Sequence, residues 1–157
     1  YWNYRLPGED GILGLTDLRN IDDENPFGMN LDDPNGLDDI LIQGDDLHIL
    51  MDQPVKINLR SIDVLHDFYI PQFRAKMDMV PGVVTYYWFT PIRTGDFEIL
   101  CMEYCGTGHY AMRGRFLVDE QKDYEEWLSE QVTFEEMMAS IDKTDLIQLA
   151  LNKKGDN

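Results

Sequence analysis

Two thiols, an imidazole and a thioether lie close together in Cys101-Met-Glu103-Tyr-Cys105-Gly-Thr-Gly-His109-Tyr-Ala-Met112. These donors select copper over hard cations. Cys105, His109 and Met112 alone have the spacing with which a β-sandwich makes a blue-copper electron-transfer site. Cys101 changes the stoichiometry, because one copper needs no second thiolate, whereas two coppers can share a bridging pair. A second metal then calls for a second nitrogen. Of the three histidines in the chain, His66 stands in Ser61-Ile-Asp63-Val-Leu-His66, a strand end just ahead of Pro71. From there a side chain can point into the mouth of a sandwich.

Two other chemistries fit the same residues. A Cys-x-x-x-Cys pair in an exported β domain can form a disulfide, and two Cys with two His can make a tetrahedral zinc site. Met112 argues against zinc, since a thioether contributes little there but tunes the potential of copper.

Taken together, Ser61-x-Asp63-Val-x-His66, Pro71, Lys76-x-Asp78, Pro81-Gly82 and Cys101-x-Glu103-x-Cys105-x-x-x-His109-x-x-Met112 resemble the dinuclear copper A domain of cytochrome c oxidase subunit II. The resemblance covers roughly residues 40–120. It implies a mainly β, cupredoxin-like Greek-key sandwich with a C-terminal helical extension. It further implies Cys101 and Cys105 as bridging thiolates, His66 and His109 as terminal nitrogens, Met112 as a weak axial sulfur and the Glu103 carbonyl as the opposite axial oxygen. The Glu103 carboxylate would face Mg²⁺ or Mn²⁺ at the boundary with catalytic subunit I. The implied activity is electron transfer from a c-type cytochrome through the copper pair to haem in subunit I, with oxygen chemistry elsewhere. Asp63, three residues before His66, is a candidate acceptor for orienting that ring. A copper A domain of the nitrous oxide reductase type shares the ligands, and a copper-free β-sandwich binding module with a Cys101–Cys105 disulfide is the non-redox alternative.

The surroundings of the motif are acidic. Thirty Asp and Glu against 13 Lys and Arg give a net charge of −17, which excludes nucleic acid as a partner and favours basic proteins or cations. Twelve acidic and two basic side chains stand among the first fifty residues, with turn formers at Asn25-Pro26-Phe-Gly28 and Asp32-Asp33-Pro34-Asn35-Gly36. This segment reads as a long loop without EF-hand spacing. Asp32, Asp33, Asp38 and Asp39 are its candidate residues for docking a basic cytochrome. No apolar run reaches the roughly 18 residues that span a bilayer. Contact with a membrane is expected only through an anchor upstream of Tyr1, on the periplasmic or intermembrane-space side of a respiratory membrane. In the resembled family an aromatic Trp-Tyr-Trp stretch follows a membrane hairpin, and Tyr1-Trp2 matches its last two positions.

The expected organisation is an aromatic start and acidic loop region over residues 1–46, the copper A domain over 40–120 and a helical extension over 121–157. Val55, Ile57 and Leu59 alternate with polar residues, the period of a strand with one buried face. Residues 83–90, 97–102 and 115–118 supply further strands, joined as an antiparallel sandwich. His48 reads as a structural strand residue. A helix is expected over 123–131, laying Tyr124, Trp127 and Leu128 on the sandwich. Thr133 and Glu136 form a capping-box signature ahead of Phe134, Met137, Met138 and Ile141, and a last helix is expected over 146–152.

Overall fold

The computed structural model describes residues 1–23 and 25–140. Its strands are β1 (Asn3–Leu6), β2 (Ile40–Gln43), β3 (Leu47–Leu50), β4 (Val55–Leu59), β5 (His66–Ile70), β6 (Ala75–Met79), β7 (Thr85–Phe89), β8 (Gly95–Cys101) and β9 (Arg113–Asp119), followed by the helix α1 (Gln121–Ser129). Residues 134–140 form a further helical stretch. The expected helix over 146–152 lies outside the described residues. Two compact units are present among the described residues, Tyr1–Tyr4 with Ile42–Glu130, and Arg5–Leu41 with residues 131–140.

The first unit is a β-sandwich. One layer is a five-stranded sheet in the order β3-β9-β8-β5-β6, and the other is the antiparallel ribbon β4-β7. Period-two alternation buries Phe97, Ile99 and Cys101 from β8, Phe116 and Val118 from β9, and Phe68 and Ile70 from β5. Val55, Ile57, Leu59 and Phe89 of the ribbon close the same core. Phe73, in the turn after β5, packs edge-on against Phe89, Phe97 and Phe116 at centroid distances of 5.1, 4.8 and 5.5 Å. Partly buried Phe73 thus touches both layers, and the fully buried Phe116 beside it stabilises the fold by roughly 1.5–3 kcal/mol. Trp2 joins this core edge-on to Phe68 at 5.9 Å.

The antiparallel expectation fails at one pair. β3 runs parallel to β9, with Leu47 opposite Phe116 and Leu50 opposite Asp119. Strands so far apart in sequence are free of the hairpin constraint that forces antiparallel pairing. The parallel register brings His48 Nδ1 within 2.5 Å of Asp119 Oδ2, and the His48 ring stacks on Trp127 of α1 at 4.6 Å and 16°. The structural role expected of His48 has this physical content. α1 begins two residues earlier than its apolar pattern predicts, with extended Glu120 as its N-cap and the Glu120 carbonyl accepting from Tyr124 N.

In the second unit, acidic and amide side chains close turns. Asp17 Oδ1 accepts from Arg19 N at 2.9 Å, Asp33 Oδ1 from Asn35 N at 3.2 Å, and Asn25 exchanges two hydrogen bonds with the Met29 backbone. Asp39 departs from the docking expectation. It is fully buried, pairs with Arg5 Nη1 at 3.1 Å and accepts from Gly14 N at 2.9 Å, so its charge is not presented to a partner. Burial raises its pKa, while the Gly14 N–H and the Arg5 guanidinium oppose the rise. The predicted capping box forms, with Thr133 N donating to Glu136 Oε2 at 3.0 Å and Glu136 N to Thr133 Oγ1 at 3.3 Å. It starts a helical turn whose Phe134 is buried with Met29 and Leu41.

Candidate metal centre

Strand alternation decides which side chains meet at one end of the sandwich. His66, Phe68 and Ile70 share a face of β5, and Phe97, Ile99 and Cys101 share a face of β8. Phe68 stands directly opposite Cys101, so His66 lies at the same end, two residues beyond. The chain then leaves β8 at Cys101 and returns to β9 at Arg113, and the loop is closed by Cys101 N donating to Met112 O at 3.3 Å. Within it a 3₁₀ turn over His109–Ala111 presents His109, and Gly106 adopts a φ of 129° that disfavours any side chain.

The six predicted ligand residues are brought together. The thiols are free and their sulfurs lie 3.8 Å apart, beyond the roughly 2.05 Å of a disulfide. Beside Cys101 Sγ are His66 Nδ1 at 3.8 Å and the Glu103 carbonyl at 3.2 Å. Beside Cys105 Sγ are His109 Nδ1 at 3.6 Å and Met112 Sδ at 3.9 Å. Two ligands of one tetrahedral ion, at bond lengths of about 2.0–2.3 Å, lie about 3.5–3.8 Å apart. The donor spacings therefore fit metal ligation, and ligand atoms of His66, Cys101 and Cys105 all lie within 4.8 Å of one another. The donors fall into two sets, each with one imidazole, around a shared pair of sulfurs.

Electrostatics around the centre are partly arranged already. Asp63 Oδ1 lies 2.8 Å from His66 Nε2, and this hydrogen bond holds the Asp63 carboxyl below its usual range. Burial, and then the neighbouring Cys101, push the Cys105 thiol up, so a metal must displace its proton on binding. Next to His66, fully buried Asp67 pairs with Lys76, and burial raises its pKa. Sequence reading assigned Asp67 nothing, because an acidic residue in a strand reads as solvated. Only the β5–β6 register, Asp67 opposite Asp78 and Tyr69 opposite Lys76, sets the ammonium against it. Of the docking candidates, Asp32 is exposed, and Asp33 and Asp38 are half-buried.

A mainly β, cupredoxin-like domain with a loop bearing Cys, His and Met between two core strands defines the class. The family of the cytochrome c oxidase subunit II periplasmic domain matches residues 15–118. An alternative cytochrome c oxidase subunit 2 from Bradyrhizobium diazoefficiens is 59% identical over 133 residues, 85% of this chain and 48% of that protein. Cytochrome c oxidase subunit 2 of Thermostichus vulcanus is 42% identical over 82 residues, 52% of this chain and 25% of that protein. The crystal structure of the periplasmic domain of cytochrome oxidase subunit II from Bradyrhizobium japonicum superposes with a TM-score of 0.52 at 29% identity, covering 54% of this chain and 62% of that one. This chain belongs to the cytochrome c oxidase subunit II periplasmic-domain family. It spans about half the length of its 59%-identical relative. Among the described residues no helix is long and apolar enough to cross a membrane.

Proposed function

We propose that this chain is the electron-transfer domain of a haem-copper terminal oxidase, taking electrons from a c-type cytochrome at a dinuclear copper A centre and passing them to haem in catalytic subunit I. The observation that carries this reading is the convergence of two free thiols, two imidazoles, a thioether and a carbonyl as two donor sets on one sulfur pair. Cys101 and Cys105 would bridge, His66 and His109 would supply the terminal nitrogens, and Met112 and the Glu103 carbonyl the weak axial donors. Such a centre supplies one-electron transfer with little change of geometry. The chain's part is rigidity: Cys101 and His66 are set by core strands, and Cys105, His109 and Met112 by a loop pinned at both ends. Glu103 is exposed, and its carboxylate would hold Mg²⁺ or Mn²⁺ at the subunit I boundary. The setting would be the outer face of a respiratory membrane. The test is electron paramagnetic resonance of the copper-loaded domain. One unpaired electron split by two equivalent nuclei is expected, and an isolated single-copper signal overturns the dinuclear assignment.

Met112 gives a graded prediction. Its sulfur is 3.9 Å from Cys105 Sγ, and removing a weak axial donor destabilises the oxidised centre more than the reduced one. Met112→Leu should therefore keep both coppers and raise the reduction potential in a spectroelectrochemical titration. Collapse of copper content would make Met112 an essential ligand instead.

The charge of −17 should steer a basic cytochrome toward the domain. Stopped-flow reduction should slow by at least about tenfold as ionic strength rises from about 0.01 to 0.15 M, where the Debye length shrinks from roughly 30 to 8 Å. Changing Asp32, Asp33 and Asp38 together to Asn leaves each side chain one acceptor oxygen but removes three charges. This variant should associate more slowly with an unaltered copper spectrum. A flat salt dependence would assign the acidic segment to solvation or to contacts within a larger assembly.

A further inference from the structure

His66 has two ring nitrogens with different tasks. Nδ1 faces Cys101 Sγ at 3.8 Å, while Nε2 lies 2.8 Å from Asp63 Oδ1. A neutral imidazole carries one proton, so a carboxylate at Nε2 fixes the proton there and turns the Nδ1 lone pair toward the sulfurs. Asp63 has little to hold it in that position, since its side chain is 64% exposed and an exposed pair restrains a mobile side chain weakly. The Val64 N–H gives it one local hydrogen bond.

The anchor is two residues further back. Ser61 is only 6% exposed and is bridged to Pro81. Its hydroxyl donates to the Val64 carbonyl, closing the turn that carries Asp63, and the same oxygen stands 3.3 Å from Asp63 Oδ1. With one proton, the hydroxyl serves Val64 or Asp63 at any moment. Either bond limits where the carboxylate can go. We propose that Ser61 is a positioning residue for the metal ligand His66, acting through Asp63, a role that rests on the copper reading of the site.

Two measurements test it. In the metal-free chain, ¹⁵N imidazole spectra should show the Nε2–H tautomer of His66 dominant, and Ser61→Ala should mix the tautomers. In the copper-loaded chain, competition with a chromophoric chelator should show Ser61→Ala weakening copper binding about tenfold, the lower end of what loss of a ligand-orienting partner costs. Ser61→Thr, which keeps the hydroxyl, should restore it. In an Asp63→Asn background Ser61→Ala should add no further loss, because the hydroxyl acts through the carboxylate. Additive losses or an unchanged tautomer would overturn the positioning role and leave Ser61 as a turn-closing residue alone. If the unmodified chain lacks the two-copper signal, the copper reading fails by itself, and the metal-free tautomer still decides whether Ser61 orients His66.

Discussion

Replacing Cys105 with serine should abolish the mixed-valence signal rather than weaken it. A hydroxyl is a poor ligand for a soft metal and does not bridge two coppers as a thiolate does. The change removes the sulfur at the centre of three contacts, to Cys101 Sγ at 3.8 Å, His109 Nδ1 at 3.6 Å and Met112 Sδ at 3.9 Å. Cys105 lies in the loop and is only half-buried, so the sandwich should fold as before, which circular dichroism can check. Metal analysis should return fewer than two coppers per chain. A persistent signal split by two equivalent nuclei would mean that Cys105 is not a bridge.

The largest effect on stability should come from Phe116→Ala. Phe116 is fully buried, stands between Leu47 and Phe97 in adjacent strands, and packs against Phe73 and Phe89 at 5.5 and 5.8 Å. Its removal takes away the ring on which both layers of the sandwich converge. Phe-to-Ala changes in cores cost about 3–5 kcal/mol, a large share of the roughly 5–15 kcal/mol that holds a typical domain together. Urea unfolding of the metal-free chain should show the midpoint falling with the slope unchanged. A loss below about 1 kcal/mol would mean that the surrounding rings collapse into the space, and that Phe73 rather than Phe116 is the main tie between layers.

Much of the site was legible because ligand type and loop spacing are local. Cys101, Glu103, Cys105, His109 and Met112 sit on one connection, so a loop closed at both ends brings them together whatever the rest of the chain does. Strand alternation was equally readable, and Val55, Ile57 and Leu59 pack on the core as their period predicts. The same local reading misplaced Asp39. An Asp pair in an acidic stretch looks solvated, and nothing nearby in sequence announces that Arg5, thirty-four residues away, will neutralise one of the two in the interior.

By itself the sequence determined which soft donors stand within one loop, since donor type and spacing are properties of residues a few positions apart. It also determined the β character of the central region and the capping box at Thr133. Tertiary structure alone decided that His66 meets Cys101 across thirty-five residues, because that depends on the Phe68–Cys101 register. It decided the parallel pairing of β3 with β9, which sets His48 on Asp119 and Trp127, and the burial of Asp67 beneath Lys76. The physical reason is common to all three. Periodicity along a strand says which face a side chain takes, whereas its neighbour on that face is chosen by strand register and packing between distant segments, which local propensity does not encode.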